Sequence, residues 1–212
     1  MPGPAAPPWF QELLDGGEEI CDEDLVGTDL RGLSLSRISF TRCRFDEASL
    51  DGWQTEACTF TDCSFDRAEL LASSHLRSAF IACSFHRTRW RDSAWTECKF
   101  TGSTFVDTPL RSVTVTGGDF TGVSFGGCDL RGLDFSGCKL IEANVVGAKL
   151  DRCAFAGANL TGLRWAEASL RDADLRGALT EGLDPRLVDL TGCRVELAQA
   201  VQFARYLGLV IS

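Results

Sequence analysis

Hydrophobic residues recur at every fifth position along most of this 212-residue chain. From Leu25 to Leu175, twenty-nine of the thirty-one positions spaced five apart are apolar, and the exceptions are Thr55 and His75. A period of five matches neither the 3.6-residue repeat of a helix nor the two-residue repeat of a flat strand. Self-similarity at a fixed short period instead predicts a repeat architecture.

A second regular position lies two residues before each large one. Twenty-five of these thirty-one sites hold Ala, Cys, Gly, Ser, Thr or Val, and the other three places of each unit carry most of the polar residues. Each unit of five therefore directs one large and one small side chain inward. A single unit has too little apolar surface to bury alone, so the units must coil and stack.

The motif itself resembles a known family. Residues 158–162 read Ala-Asn-Leu-Thr-Gly and residues 173–177 read Ala-Asp-Leu-Arg-Gly, which resemble the A(D/N)LXX signature of pentapeptide repeat proteins. The resemblance implies an all-β solenoid, a right-handed four-sided parallel β-helix with four repeats per coil. Arranging the series in rows of twenty agrees with this, since Phe45, Phe65 and Phe85 then fall in one column. We expect about eight coils.

The ends of the chain depart from the repeat. We assign residues 1–21 to an N-terminal tail, disordered up to Pro8, and a short capping helix from Trp9 to Leu14. The β-helix spans 22–195 and is interrupted near 180–188, where Asp184-Pro185 predicts a turn. Residues 196–212 are expected to form a C-terminal helix and a short apolar strand that cap the column and mediate dimerisation.

The C-terminal helix has an apolar arc of about 160°, wider than an ordinary amphipathic stripe. Two interpretations are open: the arc serves a homodimer interface, or its own last coil uses it up. The homodimer is favoured, with the interface formed by Leu197, Ala200, Val201, Phe203, Ala204, Leu207, Leu209 and Ile211.

The ten cysteines do not predict a disulfide framework, because eight of them occupy the small inward position. Cysteine packs there as a small buried hydrophobe. Cys43, Cys63 and Cys83 share one column, and their redox state stays open. The chain has no C-x-x-C pair, signal peptide or long apolar run, so we expect a cytoplasmic protein without metal, cofactor or membrane contact.

Motifs that suggest catalysis do not fit the repeat. Ser124 lies in a G-x-S-x-G sequence, but the nucleophile elbow needs a later histidine, and His75 and His86 both precede it. Thr55 and His75 should be neighbours in adjacent coils, next to a large Trp53. This irregularity is either a volume swap in the core or a local defect adapted for binding. A filled column offers no cleft for a substrate, so we expect no enzyme.

The net charge of −9 excludes a protein that binds nucleic acid by general attraction to phosphates. Residues 1–24 carry −7 of it. A DNA duplex of equal length would carry about twenty-two charges, so any imitation of DNA must depend on shape more than on charge. The candidate partner-binding acids, expected near the centre of the dimer, are Asp172, Asp174, Glu181, Asp184 and Asp189.

Residues 22–210, with their terminal helix, resemble the mycobacterial fluoroquinolone-resistance type (Mfp type) of pentapeptide repeat protein and, more distantly, the Qnr type. The resemblance implies a dimeric, DNA-mimicking rod that binds DNA gyrase or topoisomerase IV, with fluoroquinolone resistance or self-immunity to a gyrase poison as the outcome. The alternative is a scaffold that binds another protein through the Thr55/His75 irregularity or through an outward threonine column formed by Thr41, Thr61, Thr101, Thr121 and Thr161. A hydrolase at Ser124 is the third hypothesis.

Overall fold

The computed structural model describes residues 7–17, 19–110 and 112–211. Two helices flank a series of very short strands; α1 is Pro8–Asp15 and α2 is Leu197–Tyr206. The strands β1 to β11 are, in order, Glu19–Cys21, Ser34–Ser36, Ser39–Thr41, Gln54–Glu56, Thr59–Thr61, Ser74–Leu76, Ala79–Ile81, Ser84–His86, Ala94–Thr96, Thr104–Val106 and Thr114–Thr116. Beyond β11 the coils continue as single β-bridges.

Parallel pairing at a constant offset of twenty residues organises these elements. Phe40 in β3 pairs with Phe60 in β5, which pairs with Phe80 in β7. The same offset runs from the Glu19–Ser39 pair to the Asp174–Arg194 bridge. Residues 19–194 thus form between eight and nine coils of a right-handed four-sided β-helix. The repeat architecture predicted from the period of five, and the four-sided β-helix implied by the family resemblance, are confirmed.

Large side chains fill the interior in continuous columns. The rings of Phe45, Phe65 and Phe85 stack with centroids 4.9 and 5.1 Å apart and interplanar angles of 3° and 13°. A second column containing Phe60 and Phe80 meets the first edge-on. Both arrangements are favoured by the ring quadrupole and add about 0.5–1.5 kcal/mol per pair beyond area burial. The column is therefore solid through its aromatic half.

Most of the cysteines occupy the small inward position of the repeat, two residues before a large inward side chain. All ten cysteines are free thiols, and eight of them are buried. Burial raises the pKa of Cys98 to about 11, which leaves its unreactive thiol form dominant near neutral pH. The buried cysteines therefore act as packing residues.

Each coil turns at residues in the left-handed region, two positions after a large inward residue. Arg67 has φ of 58° and Gly127 has φ of 70°. Before residue 117 these sites are mostly Arg, Asp, Glu or Ala, whereas later ones are mostly glycine. The left-handed conformation costs a residue with a Cβ roughly 1–2 kcal/mol. The earlier coils, which also contain every named strand, accept that strain repeatedly.

The Thr55/His75 irregularity is buried and internally satisfied. The two residues pair in adjacent strands, as predicted, and are 2% and 1% exposed. The Thr55 hydroxyl lies 2.8 Å from His75 Nδ1 and donates to Ser78 Oγ at 2.8 Å. Ser73 Oγ lies 3.1 Å from His75 Nε2. Trp53 is fully buried and packs against the rings of Phe45 and Phe60, so its large side chain belongs to the core, in agreement with the volume-swap interpretation.

Helix α1 covers the first coil. Pro8 stands at its first position, where a missing N–H costs nothing. Phe10 is fully buried in the common core, and Leu13 and Leu14 pack against it. The tail from residue 1 to residue 6 lies outside the described residues. Strand β1 already pairs with β3, so the column includes residues 19–21, which the sequence assigns to the N-terminal segment.

The C-terminal end differs from its prediction in one respect. Helix α2 follows the last bridge, and Gly208 ends it with φ of 79°. Leu209, Val210 and Ile211 form no strand; they are 59%, 94% and 53% exposed. The predicted strand is wrong for the single chain, because strand geometry needs a neighbouring backbone and no coil lies alongside these residues.

Candidate functional site at the C-terminal end and outer faces

Helix α2 is attached to the last coil by glutamines. Gln199 Nε2 donates to the carbonyl oxygens of Leu175 and Ala178 at 2.7 and 2.9 Å. Its Oε1 accepts from the Glu196 backbone amide at 2.9 Å, which completes a capping box. The Ala178 carbonyl has no further coil to pair with, and a buried unpaired carbonyl is costly; the Leu175 carbonyl also accepts from the Ala178 amide at 3.0 Å. Gln199 therefore substitutes for the absent next coil.

A second glutamine extends this attachment. Gln202 Nε2 donates to the Thr180 carbonyl at 3.0 Å, and Phe203 packs into the core with 8% of its surface exposed. Sequence reasoning assigned the packing face to apolar residues and overlooked both glutamines. Their spacing of three residues on one helix face was the available signal.

Because glutamines and Phe203 hold the helix, most of the predicted dimer residues are left outside. Leu197 is 82%, Leu207 58%, and Ile211 53% exposed. Ala200 and Leu209 are exposed as well, whereas Val201 and Ala204 are half-buried. We call Leu197, Ala200, Leu207, Leu209 and Ile211 the apical apolar residues. Exposed apolar groups concentrated at one end mark an interaction surface.

Three of the five predicted partner-binding acids are paired with arginines. Asp174 bonds Arg176 and Asp184 bonds Arg186, each at 2.6 Å. The Arg176 side chain lowers the pKa of Asp174 to about 2. In the same way, hydrogen bonds from Arg186 lower the pKa of Asp184.

The remaining acids differ in their surroundings. Bonds from Thr191, and then from Arg171 at 2.5 Å, lower the pKa of Asp189 to about 2. Asp172 and Glu181 are exposed, and in the described part of the chain neither forms an ion pair with a side chain. The negative potential at this end is therefore weaker than the sequence suggests.

Other charges on the column pair along its axis. Arg42 bonds Asp22 at 2.6 Å, and Arg89 bonds Glu69 at 2.8 Å, across adjacent coils. Exposed ion pairs of this kind contribute about 0–1 kcal/mol each. Their main effect is to balance the signs on the outer faces.

The outward threonine column lies on the face formed by β1, β3, β5 and β7. Its members are half-buried and uncharged, and Ile81 and Ile141 interrupt them. They are Thr41, Thr61, Thr101, Thr121 and Thr161. The result is a flat, largely neutral strip.

Nothing in the described residues supports catalysis at the sequence motif. Ser124 sits in a regular coil, where its Oγ accepts a hydrogen bond from Asn144 Nδ2 at 3.1 Å. His75 is enclosed in the core, and burial lowers its pKa to about 3. Within residues 7–17, 19–110 and 112–211, no group of His, Cys, Asp or Glu side chains could hold a metal ion. No described helix is long and apolar enough to cross a bilayer.

Comparison with known proteins identifies the repeat. A model of the pentapeptide repeat region matches residues 33–110, and a model of pentapeptide repeats, in eight copies, matches residues 119–155 and 153–192. A search of curated protein sequences finds no significant match.

Solved structures share the fold. Two trypsin-treated variants of QnrB1, described as a plasmid-mediated fluoroquinolone resistance protein, superpose with TM-scores of 0.78 and 0.82 at 22% identity. Each alignment covers 92% of this chain, and 100% and 98% of the respective variant. HetL from the cyanobacterium Nostoc sp. strain PCC 7120, involved in heterocyst differentiation regulation, superposes at 0.59 with 17% identity, over 90% of this chain and 95% of HetL.

Proposed function

Because the chain belongs to the pentapeptide repeat proteins, we propose that it is a non-catalytic, DNA-mimicking protein that binds DNA gyrase or topoisomerase IV. Binding would occupy the enzyme's DNA-binding surface and give fluoroquinolone resistance or self-immunity to a gyrase poison. The observation that carries the proposal is the shared column, which aligns with nearly the whole length of a protein described as a fluoroquinolone resistance protein.

The dimensions of the column support this proposal more than its charge does. Between eight and nine coils at about 4.8 Å each give a rod of roughly 40 Å. Three of the five acids near the C-terminal end are paired with arginines. A partner would therefore recognise a rigid cylinder with moderate negative charge, and Asp172 and Glu181 supply the acids that remain available to it.

The proposal includes a homodimer through the apical apolar residues. Leu197 projects almost completely into solvent, and burial of a leucine side chain gains about 1.5–3 kcal/mol. Two copies meeting at these ends would double the length of the rod. Sedimentation equilibrium of the intact protein and of Leu197→Glu tests this, with a monomeric variant expected. Ala198→Glu, in the same helix but outside the interface, serves as the control.

Gyrase supercoiling with increasing amounts of the protein tests the function directly. We expect inhibition of supercoiling, or protection against drug-stabilised DNA cleavage, at micromolar concentration. Leu197→Glu should weaken the effect if the dimer is the active form. No inhibition, no protection and no measurable binding to gyrase or topoisomerase IV would overturn the proposal.

A scaffold that binds another protein is the second candidate. It is favoured by the neutral threonine column and by the fold shared with HetL, which is described as involved in heterocyst differentiation regulation. Replacing Thr101 and Thr121 with arginine would place charge on this strip. Loss of partner capture by that variant, with gyrase activity unaffected by the wild-type protein, would favour the scaffold.

A further inference from the structure

One proline interrupts the repeat between residues 25 and 175. At the same position of other coils, the backbone amide donates to a carbonyl of the preceding coil. Arg89 donates to the Ala68 carbonyl at 3.0 Å, and Lys149 donates to the Cys128 carbonyl at 2.9 Å. Pro109 occupies the equivalent position. Since proline has no N–H, it cannot make the corresponding bond to the preceding coil.

The opposite bond at this site is missing as well. In other coils the next residue donates its amide to a carbonyl of the following coil. Leu70 donates to the Arg89 carbonyl at 2.8 Å, and Leu130 donates to the Lys149 carbonyl at 2.9 Å. By the same register Trp90 should donate to the Pro109 carbonyl, and within the described residues that bond is not formed. The two coils are therefore separated locally on one face.

This separation coincides with a cleft of about 410 Å³. Its size falls within the range of small-molecule sites, about 300–1,000 Å³. The lining residues are Leu71, Arg89, Trp90, Arg91, Pro109 and Ser112. Arg111, which precedes Ser112 in the sequence, lies outside the described residues.

The cleft combines positive charge with an apolar wall. Arg91 approaches Asp92 only at 3.7 Å, through Nε, and its side chain is 71% exposed. Arg31, in the same outward column, is instead bound to Asp29 by two hydrogen bonds of 2.8 and 2.6 Å. The planar donor edge of Arg91 thus keeps its capacity for a carboxylate, which guanidinium binds bidentately.

We propose that this cleft binds a small organic carboxylate with an apolar body. The carboxylate would bond Arg91, since Arg89 is already paired with Glu69 at 2.8 Å. Leu71 and Pro109 would contact the apolar part. The preceding bridge in this column, Glu69–Arg89, is closed, so the opening does not extend beyond Arg89 on that side. The proposal is independent of gyrase binding.

Isothermal titration of the intact protein with 1-naphthoate, and with neutral 1-naphthalenemethanol, tests the proposal. We expect the carboxylate to bind at least tenfold more tightly than the alcohol. Arg91→Gln should weaken naphthoate binding about tenfold or more, since a charge-assisted pair is lost. Arg31→Gln is the matched control, with the same column and the same change of charge, and should bind as the wild type does.

A second variant removes the opening rather than the charge. Ser49 and Ser169 occupy the position of Pro109 in other coils and donate their amides at 2.9 and 3.0 Å. Pro109→Ser should restore the bond to the preceding coil, raise the unfolding midpoint and abolish naphthoate binding. Equal binding of acid and alcohol, equal losses in Arg91→Gln and Arg31→Gln, or wild-type affinity in Pro109→Ser would each overturn the proposal.

Discussion

Replacing Gln199 with alanine should detach helix α2 while the column stays folded. The side chain makes three hydrogen bonds, to the carbonyls of Leu175 and Ala178 and from the Glu196 amide. The variant leaves the Ala178 carbonyl and the Glu196 amide without these partners, whereas the Leu175 carbonyl keeps its bond from the Ala178 amide at 3.0 Å. Gln199 itself is 6% exposed. Each buried group left unsatisfied costs about 1–3 kcal/mol. We expect the free energy of local opening of α2 to fall by roughly 3 kcal/mol.

Hydrogen exchange measured by mass spectrometry separates this local effect from global unfolding. Amides of α2 should exchange on the order of a hundredfold faster in Gln199→Ala, as about 1.4 kcal/mol corresponds to a factor of ten. Amides of β5 and β7, in the middle of the column, should keep their protection. Local opening of this kind is usual for terminal elements.

Gln202→Ala is the graded control, since this half-buried residue makes two hydrogen bonds, donating to the Thr180 carbonyl at 3.0 Å and accepting from Thr180 Oγ1 at 3.4 Å. Its effect should be about 1 kcal/mol. If Gln199→Ala accelerates exchange no more than Gln202→Ala does, water replaces the lost donors and the account of the cap is wrong. Equal acceleration throughout the column would refute the view that α2 opens on its own.

Three other perturbations test the column itself. Phe65→Ala should lower the free energy of unfolding by about 3–5 kcal/mol in urea denaturation, because it leaves a cavity between two stacked rings; a loss below about 1 kcal/mol would contradict the solid core. His75 stays neutral when folded because burial lowers its pKa to about 3, well below the usual 6.5. The stability that neutral His75 contributes to the fold is therefore complete above about pH 6.5 and is lost as pH falls from 6.5 toward 3. In His75→Gln the free energy of unfolding should fall less steeply over that range. An unchanged slope would exclude this role. Gly157→Ala, at φ of 69° with nothing within 4 Å of the added Cβ, should cost about 1 kcal/mol of unfolding free energy, whereas no loss of midpoint would show that the turn relaxes.

The sequence alone determined which side chains face inward. A large residue returns every fifth position, and phenylalanine follows phenylalanine at intervals of twenty, so the column through Phe45, Phe65 and Phe85 was predictable from the sequence. The pairing of Thr55 with His75 followed from the same register. Local periodicity is sufficient here since each coil contacts only its neighbours.

The ends and the outer faces were decided by the tertiary structure. The terminal coil has no successor, so Gln199 caps it, and most of the apolar residues assigned to a homodimer interface remain exposed on the single chain. Asp174 and Asp184 lie beside arginines two positions later in the same turns, which reduces a charge cluster that the sequence alone suggested. The consequence of Pro109 also needed the neighbouring coils. The periodicity of the sequence specifies whether a side chain points into the column or out of it. The hydrogen-bonding partner of an outward or terminal polar group depends instead on whether a coil, a cap or solvent lies against it.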